Sequence, residues 1–266
     1  MKLTVFDRDP VIHIDYPNSP NMNFRLFLAL ILFPSVLVMT VTTAVFQHSI
    51  TLNTMSTLES KKIQSDIQKT LPQWRKYFEK YGKQYNVPWT LVAAVSYQES
   101  KWNNDATSYT GVKGLMQLTT VTAEHIGVDN REDPLQSIQG GAFYLRYLYE
   151  KSPTHLNSSD RWIQALAGYN IGWAHLRDIR KLAHAKHLDP YQWKNLKILL
   201  PMKANEKYRA QFNFGLARGQ ETVDFVESVL SYYHVLSINF PDKSRQRTIA
   251  NADSAALLSQ LQFTPL

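Results

Sequence analysis

The chain has 266 residues, which is enough for one or two domains and for a buried core. It carries 29 Lys and Arg against 22 Asp and Glu, a formal net charge of +7, and no cysteine. The absence of cysteine excludes disulfides, thiol catalysis and thiolate metal sites. A basic chain suits an acidic partner such as a nucleic acid, an anionic lipid or a carboxylate-bearing polymer. Because no helix-turn-helix pattern or zinc-finger spacing occurs, nucleic acid is not the expected partner.

Residues 26–46 form the first predicted element, a stretch of 21 residues without a charge. A helix of about 20 apolar residues crosses a bilayer core, so we predict a single transmembrane helix here. Arg25 adjoins this span, whereas the far side has no charge before Glu59. The positive-inside rule therefore favours a cytoplasmic N-terminal tail over residues 1–25. The alternative is a signal peptide that is cleaved after Ala44.

The remainder of the chain reads as helices between polar segments. Residues 47–70 are polar and predict a stalk, for which a partly helical conformation is the alternative; residues 241–266 predict a polar C-terminal tail. Between them, a domain over residues 71–240 is predicted to be mostly α, with a doubtful strand at 235–240. Asp-Pro pairs at 133–134 and 189–190 each predict a helix start, because Asp caps helices and Pro suits their first turn. The predicted helices are 71–85, 133–151, a helix from Asp160 toward Gly168, one from Gly172, one after Asp189, and 218–236.

A short helix over residues 87–100 carries a carboxylate on its apolar face. Leu91, Val95 and Glu99 follow one another at four-residue steps and share the stripe that faces the core. Glu99 also lies in the last turn, where the helix dipole presents negative partial charge. Desolvation and the dipole both disfavour the anion, so we expect a raised pKa. An acid that stays protonated near neutral pH suits the cleavage of a glycosidic bond. The alternative is a carboxylate that only extends to solvent at the helix end.

Two further motifs follow Glu99-Ser100 along the chain. The polar loop 104–117 contains two glycines and ends in Gly-Leu-Met-Gln117, and glycine lets a ligand approach the main chain closely. A later helix ends in Gly-Tyr169-Asn170, and an amide both donates to and accepts from sugar hydroxyls. In this order the three motifs resemble the soluble lytic transglycosylase domain of the goose-type lysozyme superfamily. Residues from about 74 to 233 look most like the catalytic module of membrane-bound lytic murein transglycosylases of the F type.

The resemblance implies a mostly α, lysozyme-like catalytic domain behind the single N-terminal transmembrane helix. It also implies a mechanism with one acid. Glu99 protonates the leaving N-acetylglucosamine oxygen and then takes a proton from the C6 hydroxyl, which closes on C1 to give a 1,6-anhydro product. No second carboxylate is needed. The sequence offers four candidates for one, Asp105, Glu124, Asp129 and Asp133, and none has a spacing that brings it to Glu99.

Other positions take roles from the same resemblance. Ser108 is expected near the reacting sugar, Gln117 and Asn170 are expected to hold saccharide, and Met116 and Tyr169 are expected to form apolar walls; plain core packing is the alternative for Met116. The family often has a tyrosine in the last helix whose hydroxyl faces the catalytic Glu. Here the stretch is Glu221-Thr-Val-Asp-Phe-Val226, so Phe225 keeps the ring without the hydroxyl. Whether Phe225 positions Glu99 without that hydroxyl is therefore left open by the sequence.

No metal site or cofactor is expected. His175, His184 and His187 lie on a basic stretch without the spacing of a zinc motif, which favours a solvated helix face. The expected partners are peptidoglycan glycan strands and the membrane at residues 26–46, and the expected location is the inner membrane, with the catalytic domain in the periplasm. Two alternative functions remain open, a hydrolysing muramidase on the same fold and a weakly active wall-binding scaffold.

Overall fold

The computed structural model describes residues 55–109 and 111–241 of the chain. Within them lie nine α-helices and two short 3-10 helices, and the only β-type pairing is an isolated bridge between Thr107 and Lys113. The mostly α fold class is therefore confirmed for the described residues. The helices are α1 (Thr57–Lys69), α2 (Leu71–Tyr85), α3 (Trp89–Ser100), α4 (Thr120–His125), α5 (Pro134–Lys151), α6 (Ser158–Ile171), α7 (Trp173–Ala185), α8 (Trp193–Leu199) and α9 (Gly219–Asn239), with 3-10 helices at Leu200–Ala204 and Glu206–Gln211.

Helix α3 occupies the centre of the fold and packs against α2, α5 and α9. Leu91, Val92 and Val95 are buried, as are the small residues between them. A helix that is apolar nearly all round is stable only when other helices cover every side of it. The last turn of α3 is therefore held by packing, and any side chain that it presents has a defined position.

Local signals predict several helix ends correctly. Helix α2 has its predicted bounds. Helix α5 begins at Pro134, and the Asp133 carboxylate caps it by accepting from the backbone N–H groups of Leu135 and Gln136 at 3.1 and 2.8 Å. Both partners of this cap lie within three residues of Asp133, which explains why sequence alone finds it.

Other helix ends differ from the prediction. Asn157, not Asp160, caps α6, and its side chain accepts from the backbone N–H of Asp160 at 2.8 Å. The Asp189 carboxylate accepts from the N–H of Tyr191 and forms a turn, so α8 begins only at Trp193. Both Asx turns and N-caps use the same side-chain chemistry, and the sequence does not distinguish them. The doubtful strand at 235–240 is wrong, because α9 continues to Asn239.

The segment predicted to be a stalk contains a packed helix. Helix α1 is capped by the Ser56 hydroxyl, which accepts from the N–H of Glu59 at 3.1 Å. Ile63 and Ile67 lie one turn apart and are buried in the same core as Phe78 of α2. Helix α1 therefore packs into the same core as the helices that follow it. Two buried isoleucines in a polar helix are too sparse a pattern to be recognised before their partner is known.

A buried ion pair organises the segment between α8 and α9. Lys203 and Asp178 of α7 are both fully buried, with 2.5 Å between the ammonium nitrogen and the carboxylate oxygen. The same carboxylate accepts from the backbone N–H groups of Asn213 and Phe214 at 3.1 and 3.0 Å. These bonds satisfy a charge that would otherwise be costly to bury. They fix the course of the chain up to the start of α9.

In the described part of the chain, no helix combines the length and the apolar character that crossing a membrane requires. The transmembrane span predicted at residues 26–46 and the tail predicted at 241–266 lie outside the described residues, except for residue 241.

Candidate active site

Glu99 lies in the last turn of α3 and is only partly exposed. Burial raises its pKa from 4.5 to about 8, and the nearby positive charge of Lys101 opposes that rise. The direction agrees with the expectation from the sequence, and desolvation is the dominant cause. At neutral pH the side chain is therefore mostly a neutral acid that has a proton to donate.

The hydroxyls of Ser96 and Ser100 connect α3 to the loop that follows it. They donate to the backbone carbonyl of Leu115 at 3.1 and 3.0 Å. Both serines are buried, and they lie one helical turn apart on the face that meets the loop. Ser100 of the Glu-Ser pair thus has a structural role that the sequence analysis did not assign: it fixes the Gly-Leu-Met-Gln segment against the end of α3.

Gly114 allows that segment to pass close to a neighbouring loop. Its φ is +93°, a conformation that L side chains rarely adopt, and a Cβ at this position would lie 2.2 Å from the backbone carbonyl oxygen of Arg131. No residue other than glycine satisfies both conditions. Gly111 has a φ of +78° but open space around it. The two glycines of the loop are therefore not equivalent.

Met116 is a core residue rather than an apolar wall of the cleft. Its side chain is fully buried, and it covers Gly141 so closely that a Cβ there would lie 2.5 Å from the Met116 methyl group. Its backbone is also fixed: its N–H donates to Ser137 Oγ at 3.1 Å, and its carbonyl accepts from the Tyr169 hydroxyl at 2.8 Å. These contacts support the alternative of core packing.

Gln117 ends the loop with a buried acceptor. Its φ is +47°, and its side-chain amide N–H groups donate to the carbonyls of Gly114 at 2.9 Å and Ala106 at 3.2 Å. Its Oε1 is buried and, among the described residues, has no hydrogen-bond partner. A buried carbonyl oxygen without a partner is costly in free energy. This atom is therefore suited to accept an N–H or O–H from a ligand.

Tyr169 connects the loop with the last helix. Its hydroxyl donates to the Met116 carbonyl, and its ring lies parallel to that of Phe225, at 4° and with 6.2 Å between centroids. Burial raises the pKa of Tyr169 well above its ordinary value, and the negative charge of Glu99 raises it further. Tyr169 is therefore close enough to Glu99 to sense its ionisation. Phe225, whose ring stacks on that of Tyr169, is buried on α9.

Asn170 is exposed at the end of α6 and is fixed by a residue that the sequence analysis did not single out. Its Oδ1 accepts from the Thr222 hydroxyl at 2.7 Å. Thr222 is fully buried on α9, three residues before Phe225. The bond leaves the amide N–H groups of Asn170 as the donors that it can offer to a ligand. Thr222 is the second residue of the stretch 221–226 quoted above, and its place in that stretch was the signal that could have identified it.

Ser108 folds the tip of the loop. Its N–H donates to the Val112 carbonyl at 2.8 Å, and its Oγ accepts from the Val112 N–H at 2.9 Å. These two bonds close a tight turn ahead of Gly114. Contact with a reacting sugar therefore stays a prediction for Ser108.

Among the described residues, no other carboxylate shifts the pKa of Glu99 by its charge. Asp133 caps α5, and the other three candidates, Asp105, Glu124 and Asp129, are exposed. The charge that acts on Glu99 is the positive charge of Lys101. Residues 55–109 and 111–241 also contain no group of three His, Asp or Glu side chains that could hold a metal ion.

Residues 76–192 match the family model of the transglycosylase SLT domain. Two curated relatives are both called membrane-bound lytic murein transglycosylase F. The one from Stutzerimonas stutzeri (strain A1501) is 45% identical over 171 residues, which are 64% of this chain and 35% of the relative. The one from Serratia proteamaculans (strain 568) is 41% identical over 198 residues, which are 74% of this chain and 40% of the relative. The matched part of this chain thus spans well under half of either relative.

A solved structure of the 70 kDa soluble lytic transglycosylase of Escherichia coli is also similar. It is 24% identical to this chain and covers 64% of it, while the chain covers 25% of that protein; the TM-score is 0.45.

Proposed function

The chain carries a domain of the transglycosylase SLT family, and from this premise we propose that it is a peptidoglycan lytic transglycosylase. The bond cleaved is the β-1,4 linkage between N-acetylmuramic acid and N-acetylglucosamine. The observation that supports the proposal is a single acidic side chain, Glu99, whose pKa is raised to about 8. Glu99 lies at the end of a buried helix beside Tyr169. The loop that follows this helix presents the buried acceptor oxygen of Gln117.

One carboxyl group performs both proton transfers in this mechanism. Neutral Glu99 donates its proton to the bridging oxygen as the bond from that oxygen to C1 of N-acetylmuramic acid breaks, and the N-acetylglucosamine leaves as an alcohol. The acetamido oxygen of the N-acetylmuramic acid stabilises its own C1 as the bond breaks. Anionic Glu99 then removes the proton of the C6 hydroxyl, and O6 closes on C1. The atoms balance without water, and Glu99 ends protonated for the next cycle.

In the described residues no other carboxylate acts on the pKa of Glu99 by its charge, which supports this route over hydrolysis. A hydrolysing glycosidase commonly uses a second Asp or Glu as a base or nucleophile. An internal hydroxyl replaces that group, because an intramolecular attack has a very high effective molarity. The raised pKa of Glu99 suits both steps, since a group that both gives and takes a proton works best with a pKa near neutral pH.

The surrounding polar groups would bind the glycan. Gln117 Oε1 would accept an N–H or O–H of the sugar, and the amide N–H groups of Asn170 would donate to a sugar oxygen. Tyr169 would keep water away from Glu99 and so maintain its raised pKa. The direct contribution of Ser108 to sugar binding belongs to the same proposal.

Product analysis tests the proposal. The purified full-length chain in detergent is incubated with peptidoglycan, and the released fragments are identified by mass spectrometry. We expect 1,6-anhydro-N-acetylmuramic acid ends, and the Glu99→Gln variant is the matched control that should release none. Fragments with reducing ends would instead identify a hydrolysing muramidase. Binding without cleavage by the unaltered chain would identify a scaffold protein.

We also propose that the domain is held at the outer face of the inner membrane by residues 26–46. The support is the uncharged length of that segment, together with the membrane-bound names of the relatives. Protease added to spheroplasts should digest the SLT domain and leave a small N-terminal fragment. Protection of the domain, or a mature N-terminus at about residue 45, would contradict this topology.

A further inference from the structure

Lys101, the residue that follows α3, is enclosed by two tyrosine rings. Its ammonium nitrogen donates to the Tyr232 hydroxyl at 2.9 Å, and it lies 4.7 and 4.5 Å from the ring centroids of Tyr97 and Tyr232. The two rings meet edge to face with 4.7 Å between centroids. Burial lowers the pKa of Lys101, because an enclosed ammonium is poorly solvated.

Helix α1 fixes both rings from the far side. The Tyr232 hydroxyl donates to the Glu59 carboxylate, and the Tyr97 hydroxyl donates to Asp66 Oδ2 at 2.8 Å. The charges of both carboxylates raise the pKa of Lys101 and so favour its charged form against burial. We call this set, Glu59, Asp66, Tyr97, Lys101 and Tyr232, the lysine cage.

The charged and titratable groups around Lys101 come from three helices. They are Glu59, Lys62 and Asp66 of α1, Tyr97 and Glu99 of α3, and Tyr232 of α9. Lys62 is paired with Asp66 at 2.9 Å, and its positive charge opposes that of Lys101. The family model covers only residues 76–192, so α1 and Tyr232 lie outside the part that it describes.

We propose that α1 is a positioning element of the active site, because its two carboxylates hold the lysine cage closed and thereby keep the charge of Lys101 next to Glu99. The inference rests on the proposed function for the role of Glu99. Lys101 acts on Glu99 through space and does not touch substrate. If α1 separates from α3 and α9, the ammonium loses its compensating carboxylates, and the positive charge that favours ionised Glu99 weakens.

The test measures the pKa of Glu99 directly. The full-length chain in detergent is labelled with ¹³C at its glutamate carboxyls, and the Glu99 resonance is assigned by its loss in Glu99→Gln. In Lys101→Met the pKa of Glu99 should rise by about 0.5 to 1 unit, because a neighbouring positive charge is removed. Glu59→Gln should raise it by less, and Lys101→Arg should restore the value of the unaltered chain. Lys61→Met, at an exposed position of α1, is the matched control and should not change it.

The pH dependence of kcat/KM gives a second readout. Activity should fall at a higher pH in Lys101→Met than in the unaltered chain, because Glu99 keeps its proton longer. If Lys101→Met does not fold, Tyr232→Phe decides the question, since it keeps the ring but removes both hydrogen bonds. An unchanged Glu99 pKa in a folded variant would overturn the inference. Because the titration needs no substrate, a chain without lytic activity would refute the proposed function and leave this test intact.

Discussion

Replacing Glu99 by glutamine should abolish glycan cleavage and also stabilise the fold at alkaline pH. In the unfolded chain this carboxyl ionises near pH 4.5, whereas in the native state burial raises its pKa to about 8. Between these two values the native state binds a proton that the unfolded state has lost. The contribution of Glu99 to stability is therefore fully present below pH 4.5 and is lost as the pH rises to about 8.

The size of the effect follows from the separation of the two pKa values. Each pH unit of separation corresponds to about 1.4 kcal/mol, which sets a ceiling of about 5 kcal/mol. Glu99 is not sealed from solvent, and screening by water reduces the expected difference to about 1–3 kcal/mol. Glutamine is nearly isosteric and does not titrate. The variant should thus match the unaltered chain near pH 4.5 and exceed its stability at pH 9, while activity falls by about 10² to 10⁴ or more.

Urea unfolding at pH 5, 7 and 9 measures this difference. All six tryptophans lie within residues 74–193, so their fluorescence reports on the packed helical part of the chain. Glu79→Gln, which removes a carboxylate from an exposed ion pair with Arg75, is the control and should show no comparable pH dependence. A stability difference that is the same at all three pH values would refute the raised pKa. Cleavage at the wild-type rate would refute the catalytic assignment.

Two further predictions concern Phe225 and the glycines of the loop that follows α3. Phe225→Tyr should leave activity unchanged or raise it. If the new hydroxyl reaches the Glu99 carboxyl, activity should begin to fall at a lower pH, because the anion of Glu99 is stabilised. A stability loss of about 1–3 kcal/mol with an unchanged pH profile would show that the hydroxyl is buried without a partner. Gly114→Ala should cost clearly more stability and activity than Gly111→Ala, because both strain a positive φ but only the first collides with the Arg131 carbonyl. Equal melting temperatures for the two alanine variants would contradict that difference.

Some helix ends were predictable from sequence because both partners of the decisive contact are neighbours in the chain. The cap of α5 is one such case, since Asp133 bonds to N–H groups two and three residues away. The same reasoning failed at Asp160 and Asp189, where another capping residue or a turn used the same local chemistry. Local signals thus identify candidate ends, and packing selects among them.

Other features depend on residues that are distant in the chain. Helix α1 contains only two buried isoleucines. Their burial cannot be predicted without knowing that α1 packs into the same core as Phe78. Met116 has an apolar side chain of the kind that can line a cleft. The absence of a side chain at Gly141 makes room for it in the core instead. Ser100 looks like a helix-end serine, and its bond to the Leu115 carbonyl spans a loop whose path the sequence does not reveal.

The sequence by itself determined the candidate acid, its place on an apolar helical stripe, and the loop and Tyr-Asn motifs that carry the family resemblance. Residue identity and helical spacing are local properties, so they can be read from the chain directly. The tertiary structure decided how strong that acid is and what surrounds it: the burial of Glu99, the placement of Tyr169 beside it, and the lysine cage that joins α1, α3 and α9. Desolvation and charge interactions depend on distances through space, and only folding brings these distant residues together.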